Sequence, residues 1–124
     1  MHAKVRQTMF EETPLQDLAR QFFSNKFAYE EPDGMIRGES GQKWKFDAII
    51  KYNEQKFGIF VRQWNRAIGV NQVRQLEKAV RDTDCSGGLM VGSYFSSNAL
   101  KFGKNTGIQL LDRLELVAKL RGNS

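Results

Sequence analysis

Asp47 is the residue whose type and setting most readily carry chemistry. It is an acid in the otherwise apolar and basic run Trp44-Lys45-Phe46-Asp47-Ala48-Ile49-Ile50-Lys51. A carboxylate buried in such a run is costly unless a cation or hydrogen-bond donors meet it. It is therefore either a structural acid paired with Lys45, Lys51 or Arg62, or a group that holds a metal ion beside a substrate. Basic and aromatic residues follow it: first Arg62, Trp64 and Arg66, then Arg74, Lys78 and Arg81, spaced four and three apart. That spacing puts the last three on one helical stripe. Such a stripe is either a solvated helix face or a track for a phosphate backbone. Trp64 suits core packing and base stacking alike.

The elements that must position these groups are legible in the hydrophobic pattern. Thr13-Pro14-Leu15-Gln16 has the form of a capping box with proline at the first helical position. Leu15, Leu18, Ala19, Phe22 and Phe23 then make one apolar helix face ending near Asn25. Residues 26–31 suit a short strand, Pro32-Asp33-Gly34 a turn, and residues 37–43 a polar loop. Residues 44–51 read as a strand with Trp44, Phe46, Ala48 and Ile50 on one face and Asp47 on the other. Residues 53–56 form a hairpin turn, and Phe57 to Val61 returns as the second strand. A helix over 70–82 faces Val73, Leu76 and Val80 inward, and Gly88 to Gly92 is a short buried strand. Ser96 caps a helix that the glycines at 103 and 107 should stop. Ile108 to Leu111 is a further strand, and Asp112-Arg113-Leu114-Glu115 opens a last helix through Leu120. A hairpin followed by helix-separated strands predicts an α/β fold, a mixed sheet flanked by helices.

Composition narrows the setting. The 124 residues fit one domain, with residues 1–12 expected as a flexible or partly ordered segment. Net charge is +5, from 19 Lys+Arg against 14 Asp+Glu, which suits an anionic partner such as nucleic acid. Cys85 is the only cysteine, so an intrachain disulfide and a cysteine-based zinc site are excluded. His2 lies in the terminal segment and is no ligand candidate, and Gly87-Gly88 lacks the Lys-Ser/Thr of a phosphate-binding loop. No apolar run approaches the about 18 residues that span a bilayer, and no apolar leader is evident. A cytoplasmic setting without membrane contact is expected.

From Asp47 to Leu120 the chain resembles the Mrr-like branch of the PD-(D/E)XK nucleases, and in core layout the related Holliday-junction resolvases. Three segments carry the resemblance: Val61-Arg62-Gln63-Trp64-Asn65-Arg66-Ala67-Ile68-Gly69-Val70, Gly88-Leu89-Met90-Val91 with Phe95-Ser96 and Ala99, and Gly107-Ile108-Gln109-Leu110-Leu111-Asp112 with Leu114 to Leu116. The resemblance implies a restriction-endonuclease-like fold and Mg2+-assisted cleavage of DNA. In active members an Asp and a later Glu or Gln hold the metal, and a Lys two residues on helps place the attacking water.

The Asp matches Asp47, but Phe60 stands at the Glu/Gln position and Arg62 at the Lys position. Phenylalanine cannot ligate magnesium. Arginine, with a pKa above about 12, is a poor proton shuttle. A metal held by Asp47 and the Val61 carbonyl alone would be weak, so the resemblance implies a remnant catalytic site at Asp47 and Arg62. The expected function is DNA binding through Arg62, Trp64, Arg66, Arg74, Lys78 and Arg81, with cleavage lost or weak. One alternative is an active Mg2+-dependent endonuclease completed by Glu30, Glu31 or Glu39. Another is a structural or regulatory subunit, as a homodimer or joined to an active nuclease subunit. The hairpin register requires Asp47 and Arg62 to share one sheet face.

Overall fold

The computed structural model describes residues 13–122, so the expectations placed on residues 1–12, His2 included, lie outside the described residues. Among the described residues eleven elements follow one another: α1 (Leu15–Ser24), β1 (Ala28–Glu30), β2 (Ile36–Arg37), β3 (Lys43–Trp44), β4 (Ala48–Tyr52), β5 (Gln55–Arg62), α2 (Val70–Asp82), β6 (Gly87–Gly92), α3 (Ser97–Thr106), β7 (Gln109–Asp112) and α4 (Arg113–Leu120). The main sheet runs β1-β4-β5-β6-β7, with β2 and β3 as a separate ribbon. β4 pairs antiparallel with β1 and β5, whereas β5, β6 and β7 run parallel, joined by α2 and α3. This is the expected mixed sheet flanked by helices.

The sheet separates two cores. On one face α1 and α4 bury Leu15, Leu18, Phe23 and Leu116 against Ala48, Ile50, Ile59 and Val91. On the other α2 and α3 bury Ile68, Val73, Leu76 and Ala99 against Ile49, Phe60 and Met90. The parallel strands are covered on both sides, so β6 is buried from Gly88 to Gly92 and shows no alternation. A two-residue turn closes the β4–β5 hairpin. Asn53 and Glu54 both take positive φ, 51° and 67°, matching the twist of the flanking strands.

Four local expectations need correction. The strand expected over residues 44–51 is broken: Trp44 pairs with Ile36 in the ribbon, and β4 starts only at Ala48. The chain bends at Asp47, so Trp44 and Phe46 join the α2/α3 core while Ala48 and Ile50 face the α1/α4 core. Second, the loop over residues 37–43 gives its two ends, Arg37 and Lys43, to that ribbon.

Third, α1 is not opened by a threonine–glutamine box. Pro14 precedes the first turn without a side-chain cap, and the Leu15 amide donates instead to Gln63 Oε1 at 2.7 Å. Fourth, Gly103 lies inside α3 and only Gly107 ends it. A glycine is needed there because a Cβ would stand 2.9 Å from the Ile108 carbonyl oxygen. The caps expected at Ser96 and Asp112 are present: Ser96 Oγ accepts from Ala99 N–H, and Asp112 with Glu115 closes a reciprocal capping box.

Gly58 has a comparable steric role in β5, since a Cβ added there would lie 2.3 Å from Phe46 Cε1. The Phe46 ring is fully buried, so it could yield only by displacing its core neighbours. Gly58→Ala should therefore destabilise the fold by about 1–3 kcal/mol, read by urea unfolding. Gly34→Ala, where a Cβ meets nothing within 4 Å, is the matched control.

Asp82 pins the ribbon loop to the end of α2. Its Oδ2 accepts from the Trp44 indole N–H at 2.8 Å and the Ser40 hydroxyl at 2.7 Å, and its Oδ1 from the Ser40 amide at 2.9 Å. The Trp44 bond first, and the Ser40 bonds after it, hold this carboxyl below its ordinary range. A depressed carboxylate stabilises the fold fully above its unfolded pKa of about 3.9, and that contribution is lost as pH falls through the lower folded value. The wild-type melting temperature should thus fall more steeply below about pH 4 than that of Asp82→Asn, the two converging in acid.

Candidate active site

Asp47 stands at the bend before β4, and two hydrogen bonds fasten it to β5. Its amide donates to the Ile59 carbonyl at 2.9 Å, and its Oδ2 accepts the Val61 amide at 2.7 Å. The side chain thereby supplies an acceptor at the point where β4 has not yet begun. Arg62, the last residue of β5, reaches back to it: Nη1 lies 3.4 Å from Asp47 Oδ2 and also donates to the Val61 carbonyl at 3.1 Å. Nε donates to Gln72 Oε1 on the first turn of α2 at 3.1 Å, and the guanidinium carbon sits 4.7 Å from the Phe60 ring centroid. Asp47, Phe60, Arg62 and Gln72 therefore meet on the α2/α3 face of the sheet. The expected proximity of Asp47 and Arg62 is seen, as a long ion pair whose side chains are each about a quarter exposed (27% and 25%).

Phe60 is buried within the second core, its ring centroid 5.6 Å from that of Phe46. The position that the resemblance assigns to a second oxygen ligand thus presents hydrocarbon. Among the described residues no three His, Cys, Asp or Glu come together in a way that could hold a metal ion. Magnesium takes near-octahedral oxygen ligands at about 2.0–2.1 Å. A single carboxylate, one of whose oxygens is already bonded to an amide and a guanidinium, with one carbonyl shared by that guanidinium, does not fit it.

The three acids considered as replacements lie in different places. Glu31 is committed on the α1 side: Arg20 Nε meets its Oε2 at 2.7 Å, and the Tyr29 hydroxyl donates to the same oxygen at 2.5 Å. The Arg20 guanidinium holds its carboxyl below the ordinary range. Glu39 belongs to the ribbon loop, its amide bonded to the Asp82 carbonyl. Glu30 pairs with Ile49 and so leaves the sheet on the face of the second core, one strand outward from Asp47.

The basic residues divide into two groups. Arg66 stacks over Trp64, its guanidinium carbon 4.6 Å from the ring centroid, and Trp64 packs against the second core beneath it. Both border a cleft of about 460 Å³ with Gly69, Asn71, Gln72 and Asn98. Arg74 lies further along α2, over the Phe102 ring at 5.4 Å. Lys78 and Arg81 continue toward the far end of the helix, Arg81 about 16 Å beyond Val70 at 1.5 Å per residue. Arg81 is held by Glu77 at 2.5 Å. Arg62 and Arg66 therefore sit beside the start of α2, while Lys78 and Arg81 run away from it.

Gln72 and Gln63 had no sequence signal as partners. Gln63 leaves β5 on the opposite face from Arg62 and caps α1, so adjacent residues of one strand end serve both layers.

An acid at the bend opening a hairpin, a parallel extension and helices on both faces define the restriction-endonuclease-like α/β fold. A family model for restriction endonucleases of the Mrr type matches residues 11–120, and the chain belongs to that family. Two solved structures share the fold. AF1548, a protein of unknown function, superposes with a TM-score of 0.71 at 15% identity, over 86% of this chain and 64% of that one. The DNA modification-dependent restriction endonuclease AspBHI gives 0.61 at 16% identity, over 87% of this chain and 29% of that one. The chain thus spans under two thirds of the first and under one third of the second. No curated protein matches it. No helix among the described residues is long and apolar enough to cross a membrane.

The Asp47 contacts make separable predictions. Asp47→Asn keeps an oxygen for the Val61 amide and loses only a long, partly solvated ion pair, so it should cost less than about 1 kcal/mol. Asp47→Ala also strands the amide and should cost about 1–3 kcal/mol. Urea unfolding of both variants checks the order.

Proposed function

We propose that this chain is a DNA-binding domain of the Mrr-type nuclease fold in which metal-dependent phosphodiester cleavage is lost. The single observation that carries this reading is that Phe60, which the resemblance puts at an oxygen-ligand position, is buried against Phe46. Membership of a restriction endonuclease family supports DNA as the partner, as does the net charge of +5. On this reading Arg62, Arg66 and Arg74 form the central contacts to backbone phosphates, and Lys78 and Arg81 extend them along α2. Trp64 positions Arg66 more than it stacks on a base, since the guanidinium covers one face of the indole. Backbone contacts of this kind give affinity with little sequence preference. Pairing with an active nuclease subunit, in the cytoplasm, would give such a domain a role in targeting.

The test is a gel-shift and cleavage assay on linear and branched DNA, with and without Mg2+ or Mn2+. The wild-type chain should bind both DNAs, weaken steeply with salt through counterion release, and leave the strands intact. Arg66→Glu with Arg74→Glu should weaken binding at least about tenfold, equivalent to about 1.4 kcal/mol. Robust metal-dependent cleavage, abolished by Asp47→Ala and by Glu30→Ala, would instead establish the active alternative with Glu30 as the replacement acid. Absence of salt-sensitive DNA binding would favour a structural subunit.

A further inference from the structure

Of the oxygens that remain of the metal-site pattern, Asp47 Oδ2 and the Val61 carbonyl already share a cation. Arg62 Nη1 is 3.4 Å from the first and 3.1 Å from the second. The guanidinium is further fixed through Nε by Gln72 Oε1 at 3.1 Å, and its carbon lies 4.7 Å from the Phe60 ring centroid. The aromatic face is itself attractive to a cation. The ring at the position assigned to an oxygen ligand therefore helps seat the charge that would replace the ion. A divalent ion reaching both oxygens would have to move the guanidinium aside and then sit next to its positive charge. Nη2 donates no hydrogen bond among the described residues, and the side chain is 25% exposed.

We propose that Arg62 stands in for the metal ion, as an attached cation that neutralises Asp47, closes the remnant site to divalent ions and offers Nη2 to a DNA phosphate oxygen. The last clause rests on the DNA-binding reading; the rest stands without it. The substitution balances chemically because no bond is made or broken. A fixed single charge replaces an exchangeable double one, and it binds phosphate without generating a nucleophile. Arginine suits this position better than lysine because its planar fork serves several acceptors at once.

Thermal unfolding without DNA tests the metal half. At matched ionic strength, millimolar Mn2+ should leave the wild-type melting temperature unchanged. Arg62→Met keeps an apolar stem on Phe60 but removes the cation. It should melt lower and regain on the order of 2 °C with Mn2+, a gain that disappears when Asp47→Ala is added. Arg62→Leu, which also removes the cation, should respond in the same way and serves where Arg62→Met fails to fold. A Mn2+-dependent rise in wild type that Asp47→Ala removes would overturn the proposal. A folded Arg62→Met that ignores Mn2+ would overturn it too.

DNA titrations test the phosphate half. Wild-type affinity should not rise in Mg2+ over that in EDTA at matched ionic strength. Arg62→Met should lower the salt-dependence slope by about one. An unchanged slope in Arg62→Met, or no wild-type DNA binding at all, would overturn the phosphate clause while the melting data still decide the metal half.

Discussion

The hydrogen bond from the Val61 amide to Asp47 Oδ2 is the contact on which the candidate site depends. Where β4 has not yet begun, β5 would present an amide with no strand partner. The Asp47 carboxylate takes that place, and the preceding residues are released from the sheet. Phe46 can then turn into the second core over Gly58, and Trp44 can reach Asp82. An acid at this position therefore has a structural task, the satisfaction of a backbone donor, that persists whether or not it binds a metal. Retention of Asp47 alone says nothing about retention of catalysis.

Phe60 and Arg62 then form a coupled pair. Phe60 faces the second core, so an aromatic ring there gains burial against Phe46 that a carboxylate or amide could not. Arg62 sets a cation beside Asp47 and draws support from the Phe60 ring, the Val61 carbonyl and Gln72. The two residues touch, so their substitution energies should not add.

Most of the element order was legible because the apolar periods are strong. The helix over residues 70–82 and the Asp112–Glu115 capping box were readable from local sequence alone. The break at Asp47 was not. Trp44-Lys45-Phe46 alternates as a strand does, and only the tertiary pull of Asp82 and the space over Gly58 divert it. The capping of α1 was misread for a similar reason. Thr13 and Gln16 match a local pattern, yet Gln63, distant in sequence, supplies the acceptor for the Leu15 amide. At the site, alternation along β5 predicted the meeting of Asp47 with Arg62. Gln72 escaped notice because a polar residue in a helix's first turn carries no distinguishing mark.

The electrostatics of the α2 face follow from this layout. Arg62 spends part of its charge on Asp47, and Arg81 part of its own on Glu77, so neither acts at full strength on an approaching anion. Arg66 is differently placed: its only described ring partner is Trp64, whose face attracts the cation without neutralising it. Arg74 is similarly set over Phe102, with Asn71 as a neutral acceptor at 3.5 Å. Aromatic seating lowers the orientational freedom of a long side chain while leaving its full charge available. Arg66 and Arg74, which form no ion pair among the described residues, thus offer an approaching anion more uncompensated charge than Arg62 or Arg81 does. The arginine beside Asp47 adds directional hydrogen bonding more than net potential.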